Sequence, residues 1–205
     1  MDKILRLNLG AADIKIPGWI SVEAVKEFAP DLVHDLLKPL PYGDGVIDEI
    51  LAKDLLEHFD KYMRYIVFYD WARVLKVNGV ITLEVPNFKK LVFRYFKFGF
   101  DKFVDMVFGE NMIRSQTYSG HYGNHKWGYS KETLTDFLRL FGIEPLSVEC
   151  RGLNIIYKGS KKRHVPWKEI EHLEVYAHAN AFGDRPHLSL QEVQVKIREF
   201  ERPPR

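Results

Sequence analysis

Groups that could bind a polar ligand follow four short apolar runs in the first sixty residues of the chain. Gly10 ends the first run, Glu23 ends the second, Asp35 follows the third, and Lys53 and Asp54 follow the fourth. A glycine directly after a buried strand lets backbone N–H groups approach a ligand closely, and carboxylates accept hydrogen bonds from hydroxyl and amino groups. The pattern indicates a ligand site built from several successive turns.

Buried strands are the elements that would bring these turns together. Residues 4–9, with four aliphatic side chains, have the composition of a parallel strand buried on both faces. In open α/β sheets, ligands bind at the carboxyl ends of the strands, where the winding direction reverses. We therefore expect a ligand at the carboxyl edge of strands at residues 4–9, 20–22, 32–33, 48–52 and 80–85.

The short connection between the first two strands argues against a dinucleotide cofactor. Gly10 and Glu23 are thirteen positions apart, whereas a dinucleotide fold places about 20 residues between its glycine loop and its acidic residue. Pro17 and Gly18 lie inside this connection and predict a turn in place of a full helix. The spacing argues against a nicotinamide enzyme.

Histidines in two later segments could act on a substrate, because imidazole titrates near neutral pH. His58 follows the fourth strand, and His121 and His125 lie in a polar, aromatic stretch. Two histidines without a nearby carboxylate or cysteine make a poor ligand set, so we expect no metal site. A structural role for Glu57 and His58, tying their loop to the core, remains an open alternative.

The rest of the chain supplies helices and further strands. Apolar spacing predicts a helix over residues 63–75 that ends at Asn78-Gly79, and Ser130 predicts the start of another. Residues 146–150 alternate as a strand, in which Cys150 would be buried. Residues 151–187 are expected to form a connecting excursion, residues 188–197 the last strand, and residues 201–205 a disordered tail.

Residues 88–108 mix aromatic and basic side chains after the fifth strand. Three interpretations stay open: a lid over the substrate, a helical pair resting weakly on a membrane surface, and a cap with its rings packed inward.

Composition limits the function classes. A chain of 205 residues with 46% hydrophobic residues is expected to form one domain over residues 1–205. A net charge of +2 predicts no nucleic-acid partner, and the one cysteine predicts no disulfide and a cytoplasmic location. No apolar run approaches the ~20 residues of a membrane span.

From about residue 5 to residue 88, the order of five motifs resembles the core of a class I S-adenosylmethionine-dependent methyltransferase. The similarity is to the small type described as predicted sugar or cell-envelope biosynthesis methyltransferases. The motifs are Gly10-Ala11-Ala12, Glu23, and the stretches DLLKPLPYGDGVIDEI, LLEH and RVLKVNGVITLEVPN. The resemblance implies an α/β fold: a Rossmann-like, doubly wound, mostly parallel sheet of about seven strands, with an antiparallel last strand and a cap inserted at residues 88–129.

The resemblance also implies S-adenosyl-L-methionine as cofactor and methyl transfer to an O or N of a small, sugar-like acceptor. The cofactor-binding residues would be Asn8, Leu9, Gly10, Ala11, Glu23, Ala24, Asp35, Leu36, Lys53 and Asp54. His58 and His125 would be the catalytic candidates. The substrate contacts would be His121, Tyr122, Trp127 and Tyr129.

Departures from the family pattern keep other interpretations open. The family's glycine loop usually reads Gly-x-Gly, where this chain has Ala12, and its acidic residue is usually Asp, where this chain has Glu23. Glu23 would alternatively be a solvated surface carboxylate, and Asp35 a cap of the turn before Pro39. The runner-up function is a degenerate methyltransferase fold that serves as a non-catalytic binding or assembly protein.

Overall fold

The computed structural model describes residues 4–108 and 124–171, which build a mixed sheet with helices packed on it. The strands are β1 (Arg6–Leu9), β2 (Ile20–Glu23), β3 (Leu32–Val33), β4 (Ile47–Lys53), β5 (Leu75–Pro86), β6 (Ile143–Arg151) and β7 (Asn154–Lys161). The helices are α1 (Met63–Val74), α2 (Phe88–Phe98), α3 (Phe100–Phe108), α4 (Lys131–Arg139) and α5 (Trp167–Glu171).

The strand order is β3-β2-β1-β4-β5-β7-β6, in which β1 to β5 pair in parallel with one another and β7 is antiparallel to both β5 and β6. The winding direction reverses between β1 and β4. These features confirm the predicted Rossmann-like sheet of seven strands, and they put the crevice at the carboxyl ends of β1 and β4.

The antiparallel strand β7 lies earlier in the chain than the sequence analysis placed the closing strand. It follows β6 through a tight hairpin in which Gly152 has a φ of 59°, a conformation that glycine adopts without steric strain. The strand and tail predicted at residues 188–197 and 201–205 lie outside the described residues. In β6, Cys150 is partly exposed rather than buried, and its sulfur lies 3.3 Å from Asn87 Nδ2.

The connections between the first three strands are short. A turn without a helix joins β1 to β2, as Pro17 and Gly18 predict, and a 3₁₀ turn at Lys26–Phe28 precedes β3. A second 3₁₀ turn, Leu56–His58, follows β4. These short links place several polar side chains directly beside the sheet edge.

Helix α1 is buried along its whole length, where the sequence predicted burial of one face. It ends at Val74, four residues before the predicted stop at Asn78-Gly79, because Leu75 already pairs with Ile47 in the sheet. The next pairing joins Val80 to Glu49, so residues 76–79 loop out of the ladder as an irregularity, with Asn78 at a φ of 66°.

Charged groups tie the C-terminal half of α1 to neighbouring segments. The guanidinium of Arg73 contacts the carboxylates of Asp70 and Asp44 at 2.7 Å, and Asp70 accepts the Leu40 N–H at 2.7 Å. The buried ammonium of Lys161 donates to the carbonyls of Ala72 and Leu75 at 2.7 Å each. Lys161 therefore caps the carboxyl end of α1 with a positive charge, the sign that this end of a helix favours.

An aromatic cluster joins α1 to α4. Phe68 packs on Phe137 and Phe141 at ring-centroid distances of 5.4 and 4.9 Å, and Tyr65 packs on Phe137 at 5.1 Å. Ser130 begins α4 as predicted, because its side chain accepts the Thr133 N–H. The core of the described residues thus lies between the sheet and these two helices.

The α2–α3 pair follows β5. Tyr95 and Phe103 pack together across the two helices, whereas Phe93 and Phe100 are exposed. No helix in the described ranges is long and apolar enough to cross a membrane. A role for this pair as substrate lid or surface contact stays a prediction.

Candidate functional site

A cavity of about 530 Å³ lies at the carboxyl edge of the sheet. Gly10 and Ala12, from the turn after β1, form part of its lining, together with Glu23 at the end of β2 and Asp54 after β4. The volume lies in the range of roughly 300–1,000 Å³ that is common for small-molecule and cofactor pockets. The cavity therefore occupies the edge at which the strand order predicts a ligand.

The turn after β1 brings backbone close to the cavity. Gly10 has a φ of 62°, and a Cβ added there would lie 2.8 Å from the Leu55 side chain. The N–H groups of Gly10 and Ala11 both donate to the Val22 carbonyl, which ties this turn to β2. Ala12 has a φ of 45°, in the left-handed region that is unfavourable by roughly 1–2 kcal/mol for a residue with a Cβ.

The Glu23 carboxylate fixes the turn to the end of β2. It accepts the N–H of Ala12 at 3.1 Å on one oxygen, and those of Ala24 and Val25 at 2.7 and 3.2 Å on the other. The oxygen that accepts only the Ala12 N–H keeps a further lone pair for a ligand hydroxyl. Glu23 is half-buried in the cavity wall, which differs from the alternative of a solvated surface carboxylate.

Asp35 combines a turn role with a position in the cavity. Its carboxylate accepts the Leu37 N–H at 3.0 Å, and its carbonyl accepts the Lys38 N–H at 2.9 Å. This is the turn-capping role that the sequence left open. Asp35 and the neighbouring Leu36 also line the cavity, so the turn holds the carboxylate in place beside an apolar side chain.

The electrostatics of the cavity are acidic. Among the described lining residues, five are carboxylates and the one ammonium group belongs to Lys126; the carboxylates are Asp13, Glu23, Asp35, Asp54 and Asp60. Burial and the nearby Glu84 carboxylate raise the pKa of Asp54. A surplus of negative charge in a concave site attracts cationic ligands.

Four of the predicted cofactor-binding residues lie outside the cavity lining. Asn8, Leu9 and Ala11 are buried behind the turn after β1, where Asn8 donates to the Ile14 carbonyl at 3.4 Å. The ammonium of Lys53 lies 3.9 Å from Glu84. These side chains support the turn and the strand ends rather than facing the cavity. By contrast, Ala24 is among the residues that line it.

A second group of polar side chains, which we call the histidine cluster, consists of Glu57, His58 and His125. The ligand atoms of these three residues all lie within 4.8 Å of one another. Glu57 Oε1 lies 3.9 Å from His125 Nε2, and the two imidazole rings have centroids 5.0 Å apart. His58 lines the cavity, so the cluster adjoins it. The structure thus brings together the two predicted catalytic histidines.

Backbone hydrogen bonds hold the two segments of the cluster together. The Glu57 carbonyl accepts the N–H groups of Lys126 and Trp127 at 2.7 and 3.0 Å. His58 Nδ1 lies 3.1 Å from the Asn124 carbonyl. Residues 124–127 are therefore clamped against the Leu56–His58 turn, which accounts for the position of His125.

Burial shifts both ionisable groups of the turn toward their neutral forms. Glu57 is 1% exposed, and neither carboxylate oxygen has a hydrogen-bond partner among the described residues. Burial, reinforced by the carboxylates of Asp54 and Glu84, raises the pKa of Glu57 to about 8. Burial and the neighbouring His125 lower the pKa of His58 to about 4, against the opposing pull of two backbone carbonyls.

Two of the predicted aromatic substrate contacts, Trp127 and Tyr129, pack against Arg64 on α1. The Arg64 guanidinium lies 4.1 Å from the centroid of the Trp127 ring and 5.8 Å from that of Tyr129. Tyr129 is 1% exposed and packs near Phe137, so its ring face is not available to an acceptor. A buried cation–aromatic stack explains these rings physically. His121 and Tyr122 lie outside the described residues.

Several lining residues were not identified from the sequence. Phe28, from the Lys26–Phe28 turn, and Phe59 and Met63, near the start of α1, add apolar walls. Lys126 enters the lining through the backbone clamp on Glu57. Their side-chain types carry no local signal of ligand binding. Phe59 and Lys126 directly follow His58 and His125 in the sequence, and this adjacency was the one sequence signal for this part of the cavity wall.

Solved structures share this fold. A chain in the structure of the complex between the Haloferax volcanii Trm112 methyltransferase activator and the putative methyltransferase aligns with a TM-score of 0.57 and 11% identity, over 80% of this chain and 85% of that one. A Thermotoga maritima SAM-dependent methyltransferase, described as a possible histamine N-methyltransferase, aligns with a TM-score of 0.52 and 16% identity, over 79% and 84% of the two chains.

A third structure is that of Burkholderia thailandensis 1,6-didemethyltoxoflavin-N1-methyltransferase with bound 1,6-didemethyltoxoflavin and S-adenosylhomocysteine. It aligns with a TM-score of 0.52 and 12% identity, over 78% of this chain and 71% of that one. No protein-family model and no curated protein matches the sequence. At such low identity, these structures establish the likeness of the fold.

Proposed function

We propose that this protein binds S-adenosylmethionine in the acidic cavity and transfers the methyl group to an oxygen or nitrogen atom of a small acceptor. The observation that carries the proposal is the position of this cavity, at the reversal point of a seven-stranded sheet shared with solved methyltransferases. Such folds bind ligands at this point.

The residues of the cavity fit the cofactor. Gly10 lets the turn after β1 pass close to Leu55 in the cavity wall, and Glu23 and Asp35 present carboxylates that can accept hydrogen bonds from ribose hydroxyls and an adenine amino group. S-adenosylmethionine carries one net positive charge at neutral pH, because its sulfonium and ammonium outweigh its carboxylate. The acidic lining matches that charge.

The chemistry that the bound cofactor supplies is an activated methyl group on a good leaving group. The protein's own contribution is to hold the cofactor and the acceptor in line for the transfer. His58 and Asp54 both line the cavity. Burial and the neighbouring His125 lower the pKa of His58 to about 4, so its imidazole is neutral at physiological pH.

Calorimetric titration with S-adenosylhomocysteine tests the proposal. We expect micromolar binding and a raised melting temperature, since a ligand that binds only the folded state stabilises it. Glu144→Gln, on β6 and away from the cavity lining, is the matched control and should leave the affinity unchanged. Absence of both heat and thermal shift at millimolar ligand would contradict the proposal and favour a non-catalytic protein with this fold.

A further inference from the structure

The histidine cluster has the composition of a metal site. Two imidazoles and one carboxylate converge with their ligand atoms within 4.8 Å of one another. Ligand atoms around a bound Zn²⁺ ion lie about 2.0–2.2 Å from the metal. Side-chain rotations that close the group by roughly an ångström would therefore suffice to enclose an ion. The sequence analysis rejected a metal site for want of a nearby carboxylate, and in the structure Glu57 supplies that carboxylate beside His125.

The state of Glu57 points to a missing ligand. Its side chain is almost fully buried, yet both carboxylate oxygens lack hydrogen-bond partners among the described residues. The separation of 3.9 Å from His125 Nε2 is too long for a hydrogen bond. Because an unsatisfied buried polar group destabilises the fold, a carboxylate in this position needs a compensating interaction. A cation between Glu57 and the imidazoles would provide it.

The surroundings of His58 resemble the outer shell of a metal ligand. Its Nδ1 lies 3.1 Å from the Asn124 carbonyl. When Nδ1 carries the ring proton and donates it to that carbonyl, Nε2 keeps a lone pair. Histidines that bind metals usually donate their other ring N–H to a carbonyl or carboxylate in this way. The Glu57 carbonyl fixes the segment that carries His125, so the ligands come from two tightly joined segments.

We propose that Glu57, His58 and His125 bind a divalent transition-metal ion at the edge of the cavity that His58 lines. Two imidazoles and a carboxylate favour Zn²⁺ or Co²⁺ over Mg²⁺ and Ca²⁺, which prefer oxygen ligands throughout. Metal binding itself is independent of methyl transfer. Its role rests on the proposed function: the ion would hold an acceptor oxygen next to the cofactor and ease loss of that oxygen's proton to water.

Titration with Co²⁺ tests the site, because Co²⁺ bound to nitrogen and oxygen ligands absorbs visible light. The protein is purified without a histidine tag and freed of metal by a chelator. We expect one equivalent of Co²⁺ to produce a visible absorption band, which Zn²⁺ then abolishes by displacing it. In Glu57→Gln and in His125→Ala we expect at least a tenfold weaker affinity, with unchanged circular dichroism.

His164→Ala is the matched control, since His164 is exposed and lies outside the cluster. It should keep the full absorption band. If the band is absent from the wild-type protein, or persists unchanged in both cluster variants, the proposal is wrong and Glu57 is a neutral, buried carboxyl group.

Titration of the same variants with S-adenosylhomocysteine separates this proposal from the proposed function. The cluster variants should bind the nucleotide with an affinity within twofold of wild type. Loss of Co²⁺ binding with retained nucleotide binding supports the metal site. A wild-type protein that binds the nucleotide but no metal overturns the metal site alone, whereas one that binds metal but no nucleotide overturns the proposed function alone.

Discussion

Two regions of the cavity differ in how their carboxylates are satisfied. In the region after β1, β2 and β3, Glu23 and Asp35 accept backbone N–H groups from their own turns. In the histidine cluster, Glu57 is more deeply buried and has no such donor among the described residues. The first region is organised without a ligand, and the second holds a group that is unfavourable until something binds it. This difference suggests a preformed cofactor site beside a reactive one.

The largest expected effect is on nucleotide affinity, which should depend on Glu23 and not on Glu57. Glu23→Ala removes a charged acceptor that could bind ribose hydroxyls and also frees the turn that carries Ala12. We expect S-adenosylhomocysteine binding to weaken by about 2–3 kcal/mol, or roughly 30- to 150-fold. Calorimetry measures this loss, and circular dichroism verifies the fold. An equal loss in Glu57→Gln would show that the two regions are not functionally distinct.

A second prediction concerns stability against pH in the metal-free protein. The folded-state pKa of Glu57 is raised to about 8 from an ordinary value of 4.5. As pH rises between these values, the unfolded chain loses a proton that the folded chain keeps, so folding becomes less favourable. Glu57→Gln lacks this effect and should be more stable than wild type at pH 7.5, by on the order of 1–2 kcal/mol.

Thermal melts in chelator measure this difference, which should shrink as the pH falls to 5. Since 1 kcal/mol shifts the melting temperature by about 2–4 °C in a protein of this size, the gain is measurable. Glu23→Gln should show no such gain, because the Glu23 carboxylate is already hydrogen-bonded. A variant Glu57→Gln that is less stable than wild type at both pH values would contradict this account of the cluster.

A smaller effect should distinguish the methylated cofactor from its product. The acidic lining attracts the sulfonium of S-adenosylmethionine, and that charge is absent from S-adenosylhomocysteine. We expect S-adenosylmethionine to bind several-fold more tightly at low salt, with the difference narrowing as salt screens the carboxylates. Parallel titrations at two salt concentrations measure it. Equal affinities at low salt would mean that the carboxylates do not act on the sulfonium.

The smallest effect concerns the turn after β1. Ala12→Gly relieves the left-handed strain at a φ of 45°, although glycine also loses more entropy on folding. We expect a net gain of about 0.5 kcal/mol in stability. Ala11→Gly is the matched control, because Ala11 is not in the left-handed region, and should destabilise the protein. Thermal melts compare them, and a loss of stability in both variants would show that the turn carries no strain.

Much of the fold follows from local signals in the sequence. Apolar runs predicted the parallel strands whose carboxyl ends lie at the cavity, and Ser130 predicted the start of α4. The end of α1 was predicted too late, because the pairing of Leu75 with Ile47 is a tertiary interaction. The antiparallel pairing of β7 with β5 and β6 was not predicted for a related reason: it depends on tertiary contacts and on the hairpin at Gly152.

The site was less predictable than the fold. Positions at strand ends, such as Glu23 and Asp54, follow from sheet geometry alone. The contact between Glu57 and His125 does not, since the clamp that creates it joins segments 66 residues apart. Tyr129 lies in a loop whose composition is typical of ligand binding, but its ring is buried in the core. The nearby Trp127 ring stacks on Arg64 of α1. Neither contact is visible in the local sequence.

Lys161 connects the end of α1 to the order in which the chain is synthesised. The carbonyls that it caps, on Ala72 and Leu75, precede it by 89 and 86 residues. When α1 leaves the ribosome, the donor for its last turn has not yet been translated, and water must serve in its place. The first five strands, including β5 directly after α1, are all synthesised before the residue that caps this helix end. The last strand of the described sheet, on its arrival, both fills the gap between β5 and β6 and locks α1 in place.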